Sequence, residues 1–300
     1  DPTLAFLVPY ATRAFDNSMR MQRKIFGFEP HEKITTLLID FTDYGVGGVT
    51  VIPRTLVQVQ VAPLSHLFET LPPAERMSFI MNHELVHAVT MEGAAGRDKI
   101  FRNLFGGKVA PPAEQPESLL YFYLTAPRVA APAWFLEGTA TFLDTWMDGG
   151  IGRSQGGWDE MVFRSMVKDG ARFYDPLGLA SEAVKLDFQQ RTNAYLYGER
   201  FVSWLAYTYS PQKVVDWIKR APGSRAYYAS QFQLVFGRSI ESAWADWVAF
   251  EKTFQQENLK AIRAYPVTPY TDLSRRAMGS VSRAFVDAES NQIIAAFEAL

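Results

Sequence analysis

The sequence predicts an α+β fold, with a small N-terminal sheet followed by a mainly helical lobe. Three observations predict it. Short runs rich in β-branched residues crowd into the first seventy positions. After Pro72-Pro73 the apolar residues recur at helical spacing almost to residue 264. The chain has 300 residues, 48% apolar and 21% charged, enough for a sizeable core of ordinary globular composition.

The elements follow in order. Residues 9–26 read as a helix, with Phe15, Met19, Met21 and Ile25 on its apolar side and Gly27 as its stop. "ITTLLIDF" (34–41) reads as a strand, "TDYGVGG" (42–48) as a turn, and "VTVI" (49–52) and "LVQVQVA" (56–62) as further strands, the last alternating strictly with Gln58 and Gln60 on one face. Helices are expected at 73–91, 118–126, 133–147, 157–169, 192–208, 211–219, 225–235 and, from the N-cap Ser239, to about Ala264. The glycine-rich "GGIGRSQGGW" (149–158) lacks the Gly-Lys-Ser/Thr of a phosphate loop and reads as a mobile loop. From Pro266 onward the tail reads as two strands around a polar turn, Asp287 to Asn291. The expected organisation is 1–72 as an α/β subdomain, 73–265 as a helical lobe and 266–300 as a β-like tail.

Composition narrows the function. A net charge of −2, from 30 basic and 32 acidic residues, gives no basic surplus for a nucleic acid or an acidic membrane. The absence of cysteine removes disulfides, thiolate metal sites and cysteine nucleophiles together. No apolar run reaches membrane-spanning length: "SLLYFYLTAPRVAAPAWFL" is broken by Pro127, Arg128 and Pro132, and reads as a buried helix followed by a loop. The chain opens on Asp1-Pro2 without a methionine, as after removal of an export leader or at an internal expression boundary. The expectation is a periplasmic or extracellular protein.

The chemistry concentrates in "FIMNHELVHAVTMEG". The chain has four histidines, and His83 and His87 stand four residues apart. On a helix that spacing separates two side chains by about 40° around the axis and about 6 Å along it. Both imidazoles then face one point and suit two ligands of a tetrahedral zinc, with Glu84 placed beside them as a general base. Apolar neighbours on several sides predict a buried helix, where histidines need partners. His31 and His66 lie in expected loops, so a third ligand is sought elsewhere. Glu137 in "AWFLEGTATFLDT" is a carboxylate in an apolar helix, and coordination to a metal resolves the cost of placing it there. Gly138 and Ala140 let the two helices approach closely. Asp144, two turns beyond Glu137 on the same face, either orients a ligand histidine or faces solvent.

His83-Glu84-x-x-His87 on one helix, followed by Glu137-Gly138-Thr139-Ala140 on another, resembles the gluzincin zinc peptidases, which include thermolysin-like enzymes and zinc aminopeptidases. The resemblance implies a zincin-like fold, one Zn²⁺ per chain held by His83, His87 and Glu137, and Glu84 as general base. It also implies a tyrosine in a Tyr-x-x-Gly helix that hydrogen-bonds the tetrahedral oxyanion. "NAYLYGERFVSWL" supplies Tyr195 with Gly198, and Tyr197 is the fallback. The strand around Val57 to Val61 is expected at the sheet edge, where an extended peptide substrate would pair with it.

Two features depart from the family. The gap between His87 and Glu137 far exceeds the usual twenty or so residues, which makes 92–132 an insertion, with a flap over the cleft as one arrangement. The Gly-x-Met-Glu-Asn strand by which zinc aminopeptidases hold a free amine has no counterpart: "GGVTVIPRTLVQVQVAP" contains no acidic residue. An acidic residue from elsewhere, such as Glu92, would have to replace it. The sequence is most similar to bacterial gluzincin-like domains that precede a β-propeller, which would make the tail the start of such a propeller. The expected activity is zinc-dependent hydrolysis of peptide bonds, not of the typical aminopeptidase kind. The alternative is a non-catalytic zinc-binding interaction domain on the same fold, a role with no use for Glu84.

Overall fold

The computed structural model describes residues 2–41, 47–62, 75–180, 192–273 and 284–295. The chain divides into two compact units, Asp1–Asn258 and Leu259–Leu300.

The first unit is α+β. A 3-10 turn (Pro2–Leu7) leads into α1 (Val8–Phe26), which stops at Gly27, whose φ of 61° is the left-handed conformation a glycine accepts without strain. Three short strands follow: β1 (Thr35–Ile39), β2 (Gly47–Thr50) and β3 (Leu56–Gln60). Their order is β1-β3-β2, with β1 parallel to β3 and β2 antiparallel to it. This corrects the expectation for Val57 to Val61. β3 is the central strand, its backbone groups are taken on both sides, and the edges belong to β1 and β2. The alternation read in the sequence holds, with Val57 and Val59 buried and Gln58 and Gln60 on the more open face. The turn expected at 42–48 lies largely outside the described residues, and Gly47 and Gly48 already belong to β2.

Helices build the rest of the unit: α2 (Arg76–Glu92), α3 (Gly96–Leu104), α4 (Ser118–Thr125), α5 (Ala133–Met147), α6 (Gly157–Lys168), α7 (Pro176–Ala180), α8 (Asn193–Thr208), α9 (Pro211–Ile218), α10 (Tyr228–Phe236) and α11 (Ile240–Arg263), the last running into the second unit. Ser239 caps α11 by accepting from the Ser242 backbone N–H at 3.2 Å. α3 and α7 have no counterpart in the sequence reading. "GRDKIFRNL" is too charged to display an apolar stripe, and "PLGLA" is a single turn and a half. α3 is nevertheless anchored. Asp98 accepts from the Ala95 N–H at its start, and Arg102 reaches back to the Glu92 carbonyl.

α4 departs from the buried helix expected there, because Leu119 and Leu120 are exposed. Among the described residues no helix is long and apolar enough to cross a membrane. The glycine-rich 149–158 stretch is also not a free loop. It forms a 3-10 turn (Arg153–Gln155) pinned to α5, with the Ser154 N–H donating to Thr145 Oγ1 and the Ser154 hydroxyl to the Thr141 carbonyl, both at 3.2 Å.

The core is aromatic where α5, α8, α9, α10 and α11 meet. Trp134, Phe135, Phe201, Trp217, Phe232, Trp244 and Trp247 pack there, with ring centroids as close as 4.6 Å for Phe201–Trp244 and 4.7 Å for Phe135–Trp217. α2 runs between this core, α1 and the sheet. Every residue from Ile80 to Glu92 is buried, so the helix that carries His83 and His87 has no solvent face along that length.

In the second unit β4 (Phe285–Asp287) pairs antiparallel with β5 (Gln292–Ile294), the hairpin expected around the Asp287–Asn291 turn.

Candidate metal centre

α2 starts where Glu75 folds back on its first turn, its carboxylate accepting from the Met77 and Ser78 N–H groups at 2.8 and 2.7 Å. Two turns on, His83 and His87 point the same way. α5 faces them and brings Glu137. Three atoms converge: His83 Nε2 and His87 Nε2 are 3.1 Å apart, and Glu137 Oε2 is 3.2 Å from each. In tetrahedral coordination with bonds of about 2.0–2.1 Å, ligand atoms stand about 3.3–3.4 Å apart. The triangle therefore has the dimensions of one face of such a site. These three side chains form a group that could hold a metal ion.

The donor chemistry agrees. His83 Nδ1 stands 2.8 Å from Asp144 Oδ2, and in the neutral ring a proton held there would leave Nε2 as the lone pair facing the other two atoms. Asp144 is fully buried and also accepts from the Thr145 hydroxyl at 3.1 Å. Of the two roles open for it in the sequence, the geometry gives it the orienting one. Three carboxylates, on Glu84, Glu137 and Asp144, thus surround two imidazoles, and among the described residues none of the three has a lysine or arginine ion pair. Such a buried cluster is one that a bound cation or shared protons would neutralise.

The side chains shift one another's titration. Burial disfavours a charged His83, but hydrogen bonds to Asp144 and Glu137 outweigh it and hold the imidazole well above its ordinary range. Burial pushes Glu137 up, and the charge of His87 and hydrogen bonds from both histidines more than reverse this, so its carboxyl lies far below the usual range. Burial raises Glu84 and Asp144.

Glu84 turns from the histidines toward β2. A Cβ on Gly47 would lie 2.3 Å from Glu84 Oε1, so the carboxylate occupies the space that a side chain on the strand would take. Together Gly47, Gly48, Val49, Met91, Leu136 and the site residues line a cavity of about 290 Å³. β2, an edge strand, thus takes the place beside the site that the sequence reading gave to β3.

Tyr195, at the first turn of α8, completes the wall. Its ring stacks on His83 at 6.1 Å, its hydroxyl hydrogen-bonds the Glu137 carboxylate, and burial followed by the Glu137 charge pushes the phenol up. The guanidinium of Arg153 lies 5.3 Å above the same ring, a contact that the glycine-rich reading did not reveal. Tyr197 is not a substitute. It is buried in the aromatic core, with its hydroxyl toward Met166 Sδ (3.8 Å) and the Tyr174 N–H (3.4 Å).

Other candidates are placed elsewhere. His31 lines two different cavities, and His66 lies outside the described residues. Glu92, considered as an amine anchor, is held by Lys108 and by the Thr55 hydroxyl (2.7 Å) at the far end of α2. No residue of 92–132 lines the cavity at the metal centre.

Comparison of the chain with known protein families, with curated proteins and with solved structures finds no match.

Proposed function

We propose that the protein is a zinc-dependent metallopeptidase that hydrolyses peptide bonds. The observation that carries the reading is the set His83 Nε2, His87 Nε2 and Glu137 Oε2 with mutual distances of 3.1–3.2 Å, next to a glutamate that is outside the triangle but in the same cavity. A site built only to stabilise the fold has no need of Glu84, and it would close around its ion instead of lining an open cavity.

His83, His87 and Glu137 would hold the ion, and Asp144 fixes the tautomer of His83. Zinc, when bound, supplies a Lewis acid that polarises the scissile carbonyl and acidifies the attacking water. Glu84 takes the proton from that water and delivers it to the leaving amine. Burial raises its carboxyl, which shortens the gap between its proton affinity and the neutral pH at which it must both accept and donate. The Tyr195 hydroxyl turns from Glu137 to the oxygen that gains negative charge. The edge of β2 away from β3, which pairs with no strand among the described residues, aligns an extended peptide along the cavity by backbone hydrogen bonds. Val49, Met91 and Leu136 give the walls an apolar character.

The test combines two variants. Glu84→Gln keeps the shape but cannot take the proton, so it should retain one zinc per chain and cleave an unstructured peptide library at least about a hundredfold more slowly. His87→Ala should lose the zinc. Zinc retention by wild type with no cleavage of any peptide would favour the non-catalytic interaction domain, and wild-type turnover in Glu84→Gln would sink the mechanism.

A further inference from the structure

The glycine-rich turn after α5 reaches the metal centre at two places. Gly149 and Gly150 take φ of 71° and 90°, which reverses the chain where a side chain would be strained. The reversal lays the turn against α5: a Cβ on Gly152 would lie 2.8 Å from the Thr145 Cα. Thr145 Oγ1, which accepts the Ser154 N–H, stands 3.1 Å from Oδ1 of Asp144, whose other oxygen meets His83. Arg153, the preceding residue of the same turn, carries its guanidinium 5.3 Å above the ring of Tyr195. That ring stacks on the His83 imidazole at 6.1 Å.

Arg153 is buried, and its Nε donates to Oδ2 of Asp159, also buried, at 2.6 Å. The charge-assisted bond fixes one corner of the guanidinium. Among the described residues Nη1 and Nη2 meet no hydrogen-bond acceptor. Two buried donors without acceptors are costly and need an explanation. The face of an aromatic ring attracts a cation and suits a planar guanidinium. The other charges of this buried region are engaged elsewhere or weakened. Arg200 is matched by both oxygens of Glu251, at 2.7 and 2.9 Å. Glu199, one turn after Tyr195 on α8, is fully buried. Burial and the charge of Asp159 push its carboxyl well up, which weakens it as a rival partner for Arg153.

We propose that Arg153 is the positioning residue of Tyr195: aligned by Asp159, its guanidinium holds the phenol ring against His83 and so keeps the hydroxyl at the metal centre. Arg153 does not line the cavity, so it acts through the ring and not on the substrate. The use of that hydroxyl in catalysis rests on the peptidase reading, whereas the placing of the ring does not.

Arg153→Met alone would strand a buried Asp159, so the variant to test is the pair Arg153→Met and Asp159→Asn, which removes both charges together. The first measurement needs no activity. In the whole chain with labelled tyrosine and histidine, the nuclear Overhauser contact between the Tyr195 and His83 rings should be strong in wild type and weaken in the paired variant. Tyr195→Phe identifies the signal by its loss. The second measurement is kinetic. The paired variant should retain one zinc per chain and lower kcat for peptide cleavage by about tenfold or more, with little change in KM. In a Tyr195→Phe background the same pair should cost less than about twofold, because the hydroxyl it positions is gone. An unchanged ring contact, a loss carried by KM, or an equal loss in both backgrounds overturns the proposal. Wild type that cleaves no peptide defeats the peptidase reading instead, and the ring contact still decides whether Arg153 positions Tyr195.

Discussion

Gly138 on α5 and Gly198 on α8 meet backbone to backbone: a Cβ on Gly138 would lie 2.5 Å from the Gly198 Cα, and one on Gly198 would lie 2.1 Å from the Trp134 carbonyl oxygen. Each glycine is next to, or one turn from, a residue of the site, Glu137 in the first case and Tyr195 in the second. The crossing of the two helices is therefore what brings the carboxylate and the phenol together. Gly198→Ala must push the helices apart. It should cost about 1–3 kcal/mol in denaturant unfolding, the usual scale of overpacking, and weaken zinc affinity as well. Unchanged stability would show that the helices can slide without loss.

Asp144 should act on the metal through His83 alone. Asp144→Asn keeps the shape and removes the charge that fixes the Nδ1–H. Zinc affinity, measured by competition with a chelating dye, should fall by about 10–100-fold. Unaltered affinity would remove Asp144 from the site.

Tyr195→Phe removes one donor to the oxyanion. It should retain zinc and lower kcat by about a hundredfold with little change in KM. Tyr197→Phe, whose hydroxyl faces Met166 inside the core, should leave kcat as in wild type. Equal losses in the two variants would show that the effect is one of packing.

Among the described residues the cavity is lined by no acidic side chain besides Glu84 and Glu137 to hold a free α-amine. For a matched pair of peptides, one with a free N-terminus and one acetylated, kcat/KM should be nearly equal. A fall of a hundredfold on acetylation, about 2.7 kcal/mol, would mean that the amine is recognised.

Asp148 closes α5 as its C-cap, where a negative charge also opposes the helix dipole. Its Oδ1 accepts from Asn82 at 2.8 Å, and burial followed by the charge of Asp144 raises it from 3.8 to about 6. A carboxyl raised in the folded state is protonated more readily there than in the unfolded chain. The folded state thus loses stability as pH rises from 3.8 through about 6, and the whole penalty is present above that window. Asp148→Asn should stabilise the protein at pH 8 by no more than about 1 kcal/mol, after allowance for partial exposure, and should leave stability unchanged below about pH 4. An equal gain at both pH values would exclude the charge as its cause.

Much of the fold was written locally. Helices such as Ala133–Met147 match the expected span because apolar spacing, caps and breakers act within a few residues of one another. α3 escaped detection because its stability comes from Asp98 meeting Arg220, 122 positions away, and from Arg102 gripping the backbone at Glu92 and Thr125. Strand order was likewise beyond the reach of alternation. A period of two states which face is buried and says nothing about which edge is free, so β3 went to the centre and β2 to the cavity.

The same division runs through the site. The sequence by itself determined the pair His83 and His87 with Glu84 between them, since helical geometry fixes where positions four apart must point. It also singled out Glu137, as a carboxylate too costly to leave alone in an apolar helix. Only the tertiary structure decided that His83 Nδ1 is held by Asp144, that Tyr195 and not Tyr197 reaches Glu137, and that Arg153 covers the Tyr195 ring. Those contacts join residues 42 to 61 positions apart, the Tyr195–Glu137 one across a helix crossing that two glycines permit, and a packing distance between two backbones is not encoded in the periodicity of either one.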